Sequence, residues 1–183
     1  MAATLTVEVS HLGGIKAGYA ISGSGLTGKL DPSKPTCVLI NALHTTVAFW
    51  RPQFENKELT MTMNLLAIEP LGHGATTCPI EHFTYWDTAT MALQVMDKLG
   101  AEKAFAMGTS QGGFIVTRMA LIAPERGSKD AIWPAQLATE QIQLFTSSPS
   151  ANATIIPGGS HFLNVTEAGE VNTALLEFVK QNS

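Results

Sequence analysis

Ser110 stands between two glycines in Gly108-Thr109-Ser110-Gln111-Gly112, a match to G-x-S-x-G. The run before it, KAFAM, reads as a strand, and the run after it, GFIVTRMAL, as a helix. On so tight a bend the serine hydroxyl is pushed clear of the sheet edge, while glycines without Cβ atoms let strand and helix approach closely. The bend also turns N–H groups of the first helical turn toward the hydroxyl, where a developing anion is stabilised. Read chemically, this is a nucleophile elbow for acyl transfer, with the backbone N–H of Gln111 as one oxyanion donor. Read plainly, it is a glycine-rich turn.

The rest of the chain has to place that bend. TLTVEVSHL and IKAGYAIS, separated by Gly13 and Gly14, predict an antiparallel hairpin. TCVLINAL (36–43) and MNLLAIEP (63–70) are near-continuous apolar runs, the mark of strands covered on both faces. Between them TTVAFWRPQFENKEL predicts an imperfect helix. Thr84 and Asp87 make a capping-box start for a helix from about Tyr85 to Leu99, with Ala89, Ala92, Leu93, Met96 and Leu99 on one face and Gly100 as its stop. Strand 103–108 and a helix to about Ile122 follow, with Pro124 beyond. A helix around 134–146, a strand ANATIIP and a last helix with Val171, Leu175, Phe178 and Val179 on one face complete the order. This alternation predicts the α/β class, a mostly parallel sheet with helices on both faces, as one domain over 1–183.

Composition narrows the partners. At 183 residues the chain suits one domain that buries roughly 70% of its extended surface. It is 45% hydrophobic and 14% charged, with a net charge of −4 and no basic run, which argues against a nucleic-acid or anionic-membrane partner. The N-terminal MAATLTVEVSHLGG lacks the layout of a signal peptide, and no apolar stretch nears the roughly 20 residues of a bilayer span. The expectation is a cytoplasmic protein. Cys37 and Cys78 have no ligand spacing and the five histidines are scattered, so neither a disulfide framework, a metal site nor a cofactor is expected.

Beyond the serine bend, the chain resembles the α/β-hydrolase superfamily along nearly all its length, in details most like fungal members. INALHTTVAFWRPQF stands where that family has the loop after its third strand, and LLAIEPLGHGATT is similar to its fourth-strand segment. GSKDAIWPAQLATEQI resembles the loop carrying the family's acid, and IIPGGSHFLNVTEAGEVNTALLEFV its last strand, histidine loop and final helix. The resemblance implies His161 as general base, Asp130 as third triad member in the order Ser110, Asp130, His161, and the backbone of Leu43 as second oxyanion donor. Asn41 and Ala42 depart from the family's His-Gly at that loop, and Glu69 stands where many members have Asp and reads as structural. His73 reads as a turn residue packing near the pocket; His44 either touches substrate or is solvated; His11 and His82 have no supporting pattern. The implied activity is a cofactor-free serine hydrolase acting on an ester, thioester or lactone of a small apolar substrate through an acyl-enzyme. A serine nucleophile argues against the epoxide- and haloalkane-cleaving members, which use an aspartate.

One interval is short. The helix after Ser110 carries the chain about 18 Å away from the starting edge at 1.5 Å per residue, and ERGSKD, fully extended, returns only about 20 Å. In the family this interval holds a strand, a lid and another strand; here LIAPER joins GSKDAIW directly, which predicts a deletion junction near 126–127 with the lid region absent. A second functional class follows, a catalytically silent truncated hydrolase-like binding module, with self-association through an uncovered sheet edge.

Overall fold

Two short apolar runs form the centre of the sheet. TCVLI is β3 (Thr36–Ile40) and NLLAI is β4 (Asn64–Ile68), and every residue of both is buried. They pair in parallel, Thr36 opposite Asn64 and Ile40 opposite Ile68. β5 (Phe105–Gly108) lies parallel to β3 on its other side. The hairpin supplies β1 (Leu5–Val9) and β2 (Ile15–Ile21), with β2 antiparallel to β4. The sheet order is β1-β2-β4-β3-β5, in which only β2 runs against the other strands. This computed structural model describes residues 3–23, 27–126, 156 and 158–182.

Strand side chains alternate between two cores, which is why the central runs are apolar throughout. Val38, Ile40, Leu66 and Ile68 face α3 (Tyr85–Leu99) and α4 (Gln111–Ile122), packing with Met91, Val95, Ile115 and Val116. Cys37, Leu39, Leu65, Ala67, Phe105 and Met107 face the other way, toward Trp50, Leu59, Val171, Leu175 and Val179. The helices on that side are α1 (Arg51–Phe54), α2 (Lys57–Thr62) and the final helix Ala168–Asn182. The mostly parallel sheet with helices on both faces, expected from the alternation, is therefore observed. Burial pushes the Cys37 thiol up to about 12, so it is a packed apolar group rather than a nucleophile.

The helical stretch expected between β3 and β4 is broken. It runs as a 3-10 turn Val47–Trp50, then α1 with Pro52 in its first turn, then α2, whose N-cap Asn56 accepts a hydrogen bond from Leu59 N at 3.0 Å. Pro and Asn favour helix starts over helix interiors, so the sequence restarts the helix instead of continuing it. The expected helix around 134–146 lies outside the described residues, as does the strand at 151–157 apart from Ile156. Among the described residues, no helix is long and apolar enough to cross a membrane.

α3 starts on a capping box. Thr84 N and Oγ1 donate to Asp87 Oδ2 at 2.7 and 2.8 Å, and the Thr84 oxygen accepts from Trp86 N at 3.2 Å. His11, between β1 and β2, sits 2.9 Å from Asp87 Oδ1, and its N–H donates to Gln94 Oε1 at 3.0 Å, so the same helix end anchors the hairpin. Partial burial raises the Asp87 carboxyl, but the Thr84 and His11 hydrogen bonds outweigh it and hold the group below the ordinary aspartate value. A depressed folded value gives stability that is present above the unfolded pKa of about 3.9 and lost as pH falls through the folded one. Asp87→Ala is expected to cost about 1 kcal/mol, or about 2–4 °C in Tm. Thermal melts should show the gap to wild type narrowing once the pH drops below about 4.

Candidate active site

β5 ends at Gly108 and α4 begins at Gln111, leaving Thr109 and Ser110 to reverse the chain. Ser110 adopts φ 55° and ψ −120°, a region L-residues avoid and one that costs about 1–3 kcal/mol. Three bonds impose it: Thr109 N donates to Ile40 O at 3.2 Å, Gly112 N to Thr109 O at 2.9 Å, and Gly113 N to Ser110 O at 3.0 Å. The flanking glycines are required by contact and not by φ. A Cβ on Gly108 would overlap the Gly112 carbonyl, and one on Gly112 would overlap the carbonyl of Ile40. Helix α4 thus crosses β3 backbone against backbone.

The second arm of the site follows β3. Thr45 N donates to Ala42 O at 3.3 Å, closing a turn in which His44, the third residue, has φ 59°. That is the left-handed position of a type II turn, usually given to glycine. Ala42, a departure from the family's glycine, carries no such strain, because the positive φ falls on His44. Asn41 Nδ2 braces the turn by donating to Thr45 O at 2.7 Å and Thr45 Oγ1 at 3.0 Å. His44 N donates to His73 Nε2 at 3.1 Å. With the His44 and Thr45 amides engaged, the Leu43 N–H has no acceptor among the described residues, and neither has the N–H of Gln111.

Two residues join these arms to the turn after β4. Glu69 is buried, and its carboxylate accepts from Val47 N at 3.1 Å and Ala75 N at 2.6 Å, a structural role. His73, in that turn, has Nδ1 2.9 Å from Leu71 O and Nε2 3.1 Å from the Gln111 side-chain amide. The reach of His73 to both arms has no local signature in sequence.

His161 is exposed, its ring edge-on to Phe162 at 5.2 Å, just before the short helix Leu163–Thr166. That helix is fixed to the serine bend through Asn164. Thr109 Oγ1 donates to Asn164 Oδ1 at 3.4 Å, and Asn164 Nδ2 donates to Phe49 O at 3.3 Å. Buried Gln53 completes the fixture, donating to Asn164 O at 2.8 Å and to Asn172 Oδ1 at 2.9 Å. The histidine loop and the serine bend therefore share one edge of the sheet, although no hydrogen bond joins the Ser110 hydroxyl to the His161 ring. Asp130 lies outside the described residues. Among those residues no cluster of three or more His, Cys, Asp or Glu is arranged to hold a metal.

A family model described as alpha/beta hydrolase fold matches residues 35–132, more than half of the chain. A curated protein named as a carbamate hydrolase, RutD of Stutzerimonas stutzeri (strain A1501), is 29% identical over 101 residues, which are 55% of this chain and 37% of the relative. The chain thus spans well under two thirds of that relative's length. Among solved structures, a CIB-like hydrolase of Thermoplasma acidophilum superposes with a TM-score of 0.78 at 14% identity, over 99% of this chain and all of that one. A hydrolase of Pseudomonas aeruginosa PA01 gives 0.58 at 24% identity, over 94% of this chain and 61% of the other. An epoxide hydrolase of Vigna radiata gives 0.56 at 19% identity over 70% and 38%. These structural likenesses establish the fold.

The crossing at Gly112 is directly testable. Gly112→Ala places a methyl group on the Ile40 carbonyl, and overpacking of that kind costs about 1–3 kcal/mol. A denaturant melt should report a loss in that range, whereas Gly169→Ala, in the final helix with nothing within 4 Å, should melt with the wild type or slightly above it.

Proposed function

Because the chain belongs to the α/β-hydrolase fold family, we propose that it is a serine hydrolase cleaving an ester, thioester or lactone of a small apolar substrate. The observation that carries this reading is the strained bend at Ser110, followed by the Gln111 N–H and linked through His73 to the turn that carries the Leu43 N–H, both N–H groups being without an acceptor among the described residues. Such a bend is the nucleophile elbow, and donors of that kind stabilise a tetrahedral oxyanion. Ser110 Oγ attacks the substrate carbonyl carbon while His161 takes its proton; the Leu43 and Gln111 N–H groups hold the oxygen that gains the charge. His161 then protonates the leaving group, and the acyl-enzyme is opened by a water that His161 deprotonates. Asp130 holds the His161 ring in the required tautomer. No cofactor enters this sequence of steps.

The apolar preference rests on the surface beside the bend. Leu43, Phe83, Trp86 and Phe114 are all exposed, Phe83 lies against Gly72 next to His73, and Phe114 stacks with Tyr85 at 6.3 Å. Phe114 is one helical turn beyond Ser110. A carbamate, the substrate class in the name of the Stutzerimonas relative, is attacked at the same type of carbon, so it belongs in the substrate panel beside a short-chain aryl ester.

One observation favours a contrasting reading, a catalytically silent hydrolase-like module: the Ser110 hydroxyl and the His161 ring share no hydrogen bond. Active-site labelling with a fluorophosphonate separates the two. The hydrolase reading expects label on Ser110, none on Ser110→Ala, and a rate lowered at least about 100-fold in His161→Ala. A folded wild-type chain that takes no label selects the silent module, and label that survives Ser110→Ala identifies another nucleophile.

A further inference from the structure

The geometry points to His73 as a positioning residue that holds both arms of the proposed oxyanion site through a single neutral ring; this rests on the serine-hydrolase reading above. The partners of the ring dictate its protonation. Leu71 O can only accept, so Nδ1, 2.9 Å away, carries the hydrogen. The backbone N–H of His44 can only donate, so Nε2, 3.1 Å away, is bare. The Gln111 side chain then turns its NH2 to the same Nε2 at 3.1 Å. The Nε2–H tautomer would set N–H against N–H at His44 and a lone pair against the Leu71 carbonyl, and the imidazolium would keep the first of these conflicts.

Each bond touches one arm. Gln111 supplies the donor that follows the nucleophile, and its side chain is held by the ring. His44 follows Leu43, the second donor, and its left-handed backbone is costly for a residue with a side chain. Rotating the Leu43–His44 peptide to relieve that strain would turn the Leu43 carbonyl toward the bare Nε2, two acceptors face to face. The ring therefore fixes this peptide, and Glu69, bonded to Ala75 N and Val47 N, fixes the turn that carries the ring.

Two measurements on the full chain test this. Ring 15N NMR of the wild type at neutral pH should show one neutral form with Nδ1 protonated and Nε2 bare; a protonated Nε2 overturns the proposal without any variant. His73→Phe keeps an aromatic ring but accepts nothing, while His73→Gln brings an acceptor oxygen to the place of Nε2. The first should slow fluorophosphonate labelling of Ser110 about tenfold or more, part of the effect of deleting an oxyanion donor outright, and lower kcat on an aryl ester with KM little changed. The second should recover most of the rate. His73→Phe labelling at the wild-type rate, or His73→Gln losing as much as His73→Phe, overturns the role of His73 while leaving the hydrolase reading intact. If His73→Phe does not fold, the ring spectrum and His73→Gln decide. A wild-type chain that takes no label overturns the hydrolase reading itself, and the role of His73 with it.

Discussion

The structure depends on one close contact, the passage of Gly112 over the carbonyl of Ile40. A helix that follows a buried parallel strand normally packs through side chains, at 8–10 Å between axes when two helices meet. Here α4 leaves β5 with its backbone against the end of β3, and no Cβ fits at Gly112 or Gly108. That approach forces the reversal into two residues, which puts Ser110 into its strained conformation and brings the first amide of α4 beside the turn that follows β3. The apolar runs of β3 and β4, buried on both faces, and of β5 beside them supply the rigidity, since all three are fixed in register. Strain of this kind persists only where the surroundings over-determine it.

The groups proposed to do the chemistry are main-chain amides and one hydroxyl, and what holds them is polar and, half-buried His73 apart, buried. Glu69, His73, Asn41, Asn164 and Gln53 all hydrogen-bond to backbone, mostly of loops, so that turns behave as if they were secondary structure. Hydrogen bonds to a charged group are worth more than neutral ones, about 1.5–3 kcal/mol against about 1, and a partner lost inside leaves a costly orphan. A carboxylate bonded to two loop amides is thus an economical way to fix two loops at once.

What could be read in advance divides along the same line. The G-x-S-x-G bend and the capping box at Thr84 and Asp87 are patterns within a few residues, and the double-faced strands are continuous apolar runs. Their physics is written in neighbouring letters. The break of the helix between β3 and β4 was less legible because Trp50, Phe54 and Leu59 keep an apolar face while Pro52 and Asn56 interrupt it. The reach of Gln53 to Asn164 and Asn172 spans 111 and 119 residues, and that of His73 to Gln111 spans 38. No periodicity records such pairings, and His73 carried only the look of a residue in a glycine turn. Resemblance, in turn, marked Ala42 as a departure from the family's glycine, whereas the left-handed residue of that turn is His44.

The carboxylate of Glu69 also constrains how a protein of this type can change over generations. It fills the space where side chains at positions 18 and 74 would begin, and Gly18 lies in the middle of β2, where its own backbone would accept any residue. A Cβ at position 18 would also stand 3.2 Å from Ala75 Cβ and 3.2 Å from the Thr76 backbone nitrogen, so an acid shorter by one methylene would not by itself open that space. Position 18 is closed by a carboxylate and by the turn after β4 together, and both have to give before any residue larger than glycine is admitted there.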